Sequence, residues 1–211
     1  MSKQTTVYRI KQVQPDHWLA LRETNVRKLC DTCNYNASPP FPRAHLVVAD
    51  GAPLPLEISW VIQSGLIVCP EGDARLVHES IPEIMTRDAQ FSQIIDSKLN
   101  PDARLQNLKG KQIWSNALAT YELRCNLDFL KLCSNCGRYS LEYALASEMG
   151  RNGVEFRLGE LFTDTGLVNV SGWGVFSLCT DRFLDLVLSL GIEDLLEFVP
   201  VGHLGIGDHT D

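Results

Sequence analysis

Signatures of catalysis are what this sequence most clearly lacks. Its 211 residues contain no His-Glu-x-x-His pattern, no Gly-x-Ser-x-Gly turn and no glycine-rich loop that opens a helix with a lysine. The nearest approach to a phosphate loop is Gly172-Trp173-Gly174, which is more typical of a turn with a packed aromatic ring. The acidic pair Glu193 and Asp194 is most simply solvated surface. We therefore predict a protein without catalytic residues.

Positive charge and long apolar runs are also scarce. The chain has 19 Lys and Arg against 26 Asp and Glu, a formal net charge of −7, which weighs against binding a phosphate backbone. The first ten residues lack the basic lead and apolar run of a signal peptide, and no later segment is long enough to cross a bilayer. We expect a cytosolic protein that contacts neither nucleic acid nor membrane directly. An acidic surface would speed encounter with a basic partner protein.

The hydrophobic pattern indicates an α+β fold with a mixed or antiparallel sheet and a few packed helices. At 211 residues and 45% hydrophobic content, the chain can bury one sizeable core. We predict a single domain over 1–211, with a possible lobe boundary in the polar stretch 96–112 and a flexible tail at 202–211.

Local patterns place several elements. Strands are expected at residues 5–12, 45–50 and 56–69, where alternating or β-branched residues are bounded by glycine and proline turns. Ser80 and Glu83 form a capping-box pattern around Pro82, which predicts a helix of about four turns from Ser80.

The clearest helix lies near the end of the chain. Thr180 or Asp181 caps it, Phe183 pairs with Val187, and Gly191 stands where a left-handed C-terminal cap belongs. Strands at 175–178 and 197–201 flank it, so a strand, helix, strand ending is predicted.

Four of the seven cysteines form two matched turns, in each of which two thiols lie two residues apart. They are Cys30 with Cys33, and Cys133 with Cys136. One tight turn of this kind can present both sulfurs to one metal. Asn34 and Gly137 follow the second thiols and are the residue types that most easily adopt the positive φ of such a turn. In a reducing compartment, paired cysteines are more often metal ligands than disulfides.

Two such turns supply four thiolates, which predicts a closed, structural zinc site. Cys33 and Cys133 are 100 positions apart, so the fold must bring the turns together and the metal would clamp distant segments. Two alternatives stay open. The thiols could be two independent reduced pairs, or two thioredoxin-like redox turns, although the latter normally lie in a βαβ unit.

The remaining cysteines and the histidines offer no second site. Cys69, Cys125 and Cys179 lie in apolar or strand-like runs, where a lone cysteine is more often a small buried hydrophobe than a ligand. The histidines are scattered and are expected at the surface or in the core: His17, His45, His78, His203 and His209. His203 and His209, with Asp208 and Asp211, have side chains of the types that bind metals. A frayed tail is nevertheless the simpler interpretation of this polar segment.

The order of several sequence blocks resembles that of the double-CxxCG motif proteins of myxobacteria and other proteobacteria. The blocks are YRI near the start, CDTCN, CSNCGR, FRLGELFTDTGLVNV and TDRFLDLVLSLGIEDLLEFVPV. The resemblance is spread over most of the chain and is strongest from Cys133 to Val201. Asn34 stands where the family's first motif has glycine.

The resemblance implies that the chain is an immunity protein, which protects the producing cell from a toxin. Members of the family are encoded beside polymorphic toxins, including nuclease toxins delivered by contact or by a type VI secretion system, and protect the producer. Only Cys30, Cys33, Cys133 and Cys136 are carried over as motif positions, and the resemblance assigns no toxin-binding residue. A zinc-ribbon regulator or nucleic-acid module, and a redox or hydrolytic enzyme, are the alternatives to this interpretation.

We predict that Cys133→Ser or Cys30→Ser releases zinc and sharply lowers the melting temperature, because structural zinc binding is coupled to folding. Metal analysis and thermal melts check this, and unchanged melting with unchanged metal content would contradict it. Cys69→Ser or Cys179→Ser serves as the control and should cost only about 1–3 kcal/mol of stability.

Overall fold

The computed structural model describes residues 3–13, 18–22, 43–63, 65–96, 98–100, 102–116, 118–119, 121–124, 134–135, 155–158, 160–161, 164–170 and 177–206. Within these ranges the chain is α+β, with mixed and antiparallel sheets and two helices, as the sequence predicts. Each helix has ten residues, and neither is long and apolar enough to cross a bilayer.

The first half of the chain supplies β1 Lys3–Gln12, β2 Trp18–Arg22, β3 Ala44–Val48, β4 Val61–Gln63, β5 Leu66–Pro70, α1 Glu71–Ser80, β6 Met85–Asp88, β7 Gln90–Ile95 and β8 Lys98–Asn100. The second half supplies β9 Gly110–Trp114, β10 Leu118–Ala119, β11 Tyr121–Arg124, β12 Glu155–Leu158, β13 Glu160–Leu161, β14 Leu167–Val170, β15 Leu178–Thr180, α2 Asp181–Leu190 and β16 Leu196–Ile206. Single 3₁₀ turns occur at Leu105–Asn107 and Glu193–Leu195.

The largest sheet has β1 near its centre, in the strand order β10-β14-β15-β1-β16-β13. β1 is antiparallel to both β15 and β16. It pairs with β16 over its whole length, from Lys3 opposite Ile206 to Gln12 opposite Leu196, with a register shift between Val7 and Tyr8. The predicted N-terminal strand is therefore confirmed, and its neighbours come from the opposite end of the described chain.

Two four-stranded sheets complete the main architecture, with β11 and β12 forming a separate pair. One has the order β4-β5-β9-β6 and the other β2-β3-β7-β8. The chain passes between them at Ala89, which separates the last residue of β6 from the first residue of β7. The strands expected at 45–50 and 56–69 are confirmed as β3, β4 and β5.

Two hydrophobic cores lie on either side of the β4-β5-β9-β6 sheet. The helical core consists of Ile10, Trp60, Ile67, Cys69, Ala74, Val77, Ile81, Ile84, Ile113, Leu167, Cys179, Phe183, Val187 and Leu196. The sheet core consists of Trp18, Ala44, Leu46, Val48, Val61, Leu66, Val68 and Leu105. Because neighbouring residues of a strand point to opposite faces, β5 contributes alternately to the two cores.

The predicted order of strand, helix and strand at the C-terminal end is confirmed as β15, α2 and β16, although β15 covers Leu178–Thr180 and shares only Leu178 with the strand expected at 175–178. Thr180 stands at the N-cap position, and Phe183 and Val187 form the buried face of α2. Gly191 has φ of 68° and its N–H donates to the Leu188 carbonyl, so it closes the helix in the left-handed conformation that glycine favours.

The helix predicted to start at Ser80 is wrong. Ser80 is instead the last residue of α1, which the sequence interpretation missed, and the following residues turn and then form β6 and β7. The Ile84 N–H donates to the Ile81 carbonyl at 2.9 Å across this turn, which places Pro82 at its second position. Pairing of β6 with β9 and of β7 with β3 overrides the local capping pattern.

Regular structure also occurs in the stretch where a lobe boundary is possible and at the start of the expected tail. The polar stretch 96–112 contains β8, a 3₁₀ turn and the start of β9, and its Leu105 is fully buried. Residues 202–206, the first part of the tail expected to be flexible, belong to β16. β16 continues to Ile206 because β1 pairs along that whole length, and Leu204 is fully buried.

Asp181, the first residue of α2, ties the helix to β1. Its Oδ2 accepts from the Thr6 N–H at 2.8 Å and from the Thr5 hydroxyl at 2.9 Å, and its Oδ1 accepts from the Tyr8 hydroxyl at 2.9 Å. Burial raises the pKa of Asp181, but these hydrogen bonds and nearby His203 outweigh that effect, and the pKa is lowered. The carboxylate also suits the positive end of the helix dipole.

We predict that Asp181→Asn lowers the free energy of unfolding at pH 7 by about 1–3 kcal/mol, because the amide cannot accept all three hydrogen bonds. The pKa of Asp181 is lower in the folded chain, so its contribution is present above the unfolded value of about 3.9 and is lost as the pH falls through the folded value. Urea unfolding at pH 7 and at pH 3 measures the difference.

The control is Asp185→Asn, which changes an exposed residue of the same helix. It should leave stability nearly unchanged at both pH values. Equal losses for the two variants at pH 7, or a loss for Asp181→Asn that persists at low pH, would contradict this role of Asp181.

Candidate functional site

The predicted zinc ligands Cys30, Cys33, Cys133 and Cys136 lie outside the described residues, as does Cys125. Ser134 and Asn135, between two of these thiols, are described and form an exposed turn, as the Cys-x-x-Cys pattern predicts. Within the described ranges, no group of three or more His, Cys, Asp or Glu residues could hold a metal ion. The shared zinc therefore stays a prediction.

The two described cysteines are buried thiols, as the sequence predicts. Cys69 and Cys179 are each 0% exposed, on β5 and β15. Burial, and then the charge of Asp73, raises the pKa of Cys69 far above its ordinary value. Burial, followed by Asp181 and Asp164, does the same for the pKa of Cys179. Burial thus keeps both thiols protonated at neutral pH, as is typical of structural cysteines rather than of nucleophiles.

A cavity of about 660 Å³ opens at the surface of the described chain. It lies where the chain crosses from the β4-β5-β9-β6 sheet to the β2-β3-β7-β8 sheet. The Ala89 N–H donates to the Gly110 carbonyl at this crossing, which fixes the corner between β6 and β7. Its volume falls within the roughly 300–1,000 Å³ that is usual for ligand pockets.

One wall of the cavity is apolar. Phe91, Leu99, Leu105 and Leu108 line it, and the Phe91 ring packs edge-on against Trp18 with their centroids 5.4 Å apart. Leu105 is fully buried, whereas Leu99 is 52% exposed. The apolar surface therefore runs from the sheet core out to solvent.

The opposite wall carries an ion cluster centred on Lys111. The Lys111 Nζ lies 2.6 Å from Asp88 Oδ1 and 3.2 Å from Glu71 Oε1. Hydrogen bonds to Asp88 and then Glu71 raise the pKa of Lys111, and the hydrogen bond from Lys111 lowers the pKa of Asp88. Lys111 and Asp88 are therefore both charged at neutral pH.

A histidine and a serine meet in the same cavity. His45 Nε2 lies 2.7 Å from Ser92 Oγ, across the parallel strands β3 and β7. Such a contact is the start of a nucleophilic pair, but Ser92 is only 4% exposed and presents little surface to a substrate carbonyl. The geometry therefore favours binding over acyl transfer at this position.

Gly110 sets the width of the cavity. A Cβ at this position would lie 2.6 Å from Phe91 Cζ and 3.3 Å from Ile58 Cγ1, so only glycine lets β9 approach the ring this closely. The Phe91 ring cannot simply swing away, because Trp18 packs against it.

The sequence interpretation missed this cavity. His45 was expected at the surface or in the core, and Ser92 and Lys111 were not singled out. A local signal is Gly110, the first residue of β9, because a glycine in a strand is typical of close backbone approach. The parallel pairing of β3 with β7, which joins His45 to Ser92, has no such local signal.

Comparisons with known proteins place the chain in no established group. No family model matches it, and no curated protein or solved structure is similar to it.

We predict that Gly110→Ala lowers the free energy of unfolding by about 1–3 kcal/mol, because the new methyl group overpacks against Phe91. Denaturant unfolding measures the loss, and the near-ultraviolet circular dichroism of Trp18 and Phe91 should change with it. Gly72→Ala is the matched control. It lies in α1 with nothing within 4 Å of the new Cβ, so it should be neutral or stabilising by up to about 1 kcal/mol. Equal effects of the two changes would contradict the tight contact.

Proposed function

We propose that this protein is a non-catalytic immunity protein of the cytosol, which binds and neutralises a cognate antibacterial toxin. The toxin class we favour is a nuclease effector of a type VI secretion or contact-dependent system. A structural zinc held by Cys30, Cys33, Cys133 and Cys136 would pin the scaffold. The observation that carries the proposal is the ordered pair of Cys-x-x-Cys turns within the sequence blocks that resemble the double-CxxCG proteins.

The positions of two of those blocks support the proposal. The block FRLGELFTDTGLVNV and the block beginning TDRFLDLV meet at the start of α2. There the Thr180 hydroxyl donates to Asp164 Oδ1 at 2.6 Å, and the Thr180 N–H donates to the Gly166 carbonyl at 2.8 Å. These two hydrogen bonds join two of the resembling blocks into one structural unit.

The rigidity of the described scaffold also supports a binding role. Tight neutralisation favours a largely preformed surface, because ordering loops on binding reduces affinity. β5 is packed on both faces, and α2 is tied to β1 through Asp181. These contacts join the described elements into one packed framework.

The charge of −7 is suited to a basic partner. Nucleases bind polyanions and therefore present basic surfaces, towards which an acidic inhibitor is steered electrostatically. The same charge weighs against the second candidate, a zinc-ribbon regulator or nucleic-acid module, which shares the cysteine pattern but requires a basic stripe.

We predict that the protein rescues cells that express the toxin encoded beside its gene, and that it forms a stable complex with a catalytically inactive form of that toxin. Survival assays and size-exclusion chromatography measure the two effects. An unrelated toxin is the control and should not be neutralised. Neither rescue nor binding with the neighbouring toxin would remove the proposal, and a gel shift with DNA or RNA would favour the regulator instead.

A further inference from the structure

The C-terminal end of α2 presents two leucines to solvent. Leu188, in the last turn of the helix, is 51% exposed, and Leu195, in the 3₁₀ turn that follows, is 44% exposed. The chain reverses between them at Gly191, and the helix and the 3₁₀ turn lie in contact. Single exposed leucines are common on protein surfaces, whereas two on adjoining turns form an apolar patch.

Three exposed carboxylates accompany these leucines. Asp185 lies three residues before Leu188 and therefore on the same side of α2. Glu193 and Asp194 directly precede Leu195 in the 3₁₀ turn. Within the described ranges, none of the three carboxylates forms an ion pair. We call the surface formed by these five residues the acidic leucine face.

Neighbouring basic side chains are already engaged by other acids. Arg182, the one basic residue of α2, lies 3.4 Å from Glu83. Lys11 of β1 lies 3.7 Å from Glu197, at the start of β16. The negative charge of the acidic leucine face is therefore not offset by either of these cations.

We propose that the acidic leucine face is the surface that binds the partner, and that it fits a basic protein surface with an apolar site at its centre. An apolar centre within a charged rim is the usual arrangement of a protein interface. This inference rests on the proposed function in taking the partner to be the toxin.

The charge of the face selects this occupant. A second copy would bring the same carboxylates and the same net charge of −7, so like charges would oppose pairing of two copies through this face. Nucleic acid is a polyanion and would be repelled in the same way. A basic protein is instead steered towards the carboxylates, and its apolar site can cover the leucines.

The acidic leucine face is also held in place before binding. Phe183 and Val187 anchor α2 in the helical core, and Leu196, directly after the 3₁₀ turn, is buried in the same core. Asp181 ties the other end of the helix to β1. A preformed surface of this kind requires little ordering when a partner binds.

A partner-independent test uses the ¹⁵N-labelled full chain at low salt and a capped octapeptide that alternates leucine with lysine. We expect amide shifts centred on Leu188, Glu193, Asp194 and Leu195. An octapeptide that alternates serine with lysine has the same charge and should shift these amides much less. Equal shifts with both peptides, or none at the face, would overturn the proposal. Shifts of the same amides when the protein alone is concentrated would also overturn it, because a second copy would then be the occupant.

A second test compares two leucines of equal exposure in binding to the inactive toxin encoded beside the gene. Leu188→Lys should weaken binding about tenfold or more, because it places a positive charge at the centre of the face. Leu99→Lys is the matched control, since Leu99 is 52% exposed and lies on β8 of another sheet, and binding should stay within about twofold. A lysine suits the last turn of a helix, so the thermal melt of Leu188→Lys should match that of the unchanged chain.

A third test isolates the carboxylates. The double change Glu193→Gln with Asp194→Asn should slow association with the toxin about threefold or more at low salt, because it removes charge beside the leucines. The double change Asp50→Asn with Glu57→Gln alters the net charge equally at exposed positions outside the face, and should slow association by less than about twofold. Equal slowing by the two pairs would show that net charge alone acts and would overturn the local role.

The results separate the two proposals. Binding that is equal for Leu188→Lys and Leu99→Lys would overturn docking at the acidic leucine face and leave neutralisation standing. Failure of the unchanged chain to bind or neutralise the toxin would overturn the proposed function, and the octapeptide titration would still decide whether the face binds a basic, apolar chain.

Discussion

Burial of β5 on both faces is the constraint on which the described fold depends. Leu66 and Val68 enter the sheet core, while Ile67 and Cys69 enter the helical core. Each such side chain is worth about 1.5–3 kcal/mol when fully buried, so four consecutive residues couple the stability of two cores. A shift of one residue in the register of β5 would exchange both sets of contacts at once, which fixes the order of its neighbours.

Charged groups mark the places where elements from distant parts of the chain meet. Asp181 joins α2 to β1, and Lys111 joins β9 to the last residue of β6 and the first residue of α1. Lys111 lies at the rim of the cavity with its charge shared between two carboxylates. The cavity thus lies at a joint between elements, where apolar side chains and charged groups line the same concave surface.

The α+β class, β1 and the unit of β15, α2 and β16 could be predicted from the sequence, because neighbouring residues determine them. Gly191, for example, marks the end of α2 through its own backbone preference. Prediction failed where partners distant in sequence decide the outcome. Ser80 and Glu83 mimic a helix start, but pairing with β9 and β3 draws the following residues into strands. The contact of His45 with Ser92 depends on such pairing too, and the four predicted zinc ligands lie outside the described residues.

The antiparallel ladder between β1 and β16 has a consequence for synthesis. β1 leaves the ribosome well before its longest partner, because Lys3 pairs with Ile206 and Gln12 with Leu196. The central sheet therefore cannot close until residues 196–206 emerge. Pairings so distant in sequence slow folding, because the entropic cost of closing a long loop comes before the stabilising contacts form. A chain halted before residue 196 would leave an edge of β1 uncovered and prone to aggregation.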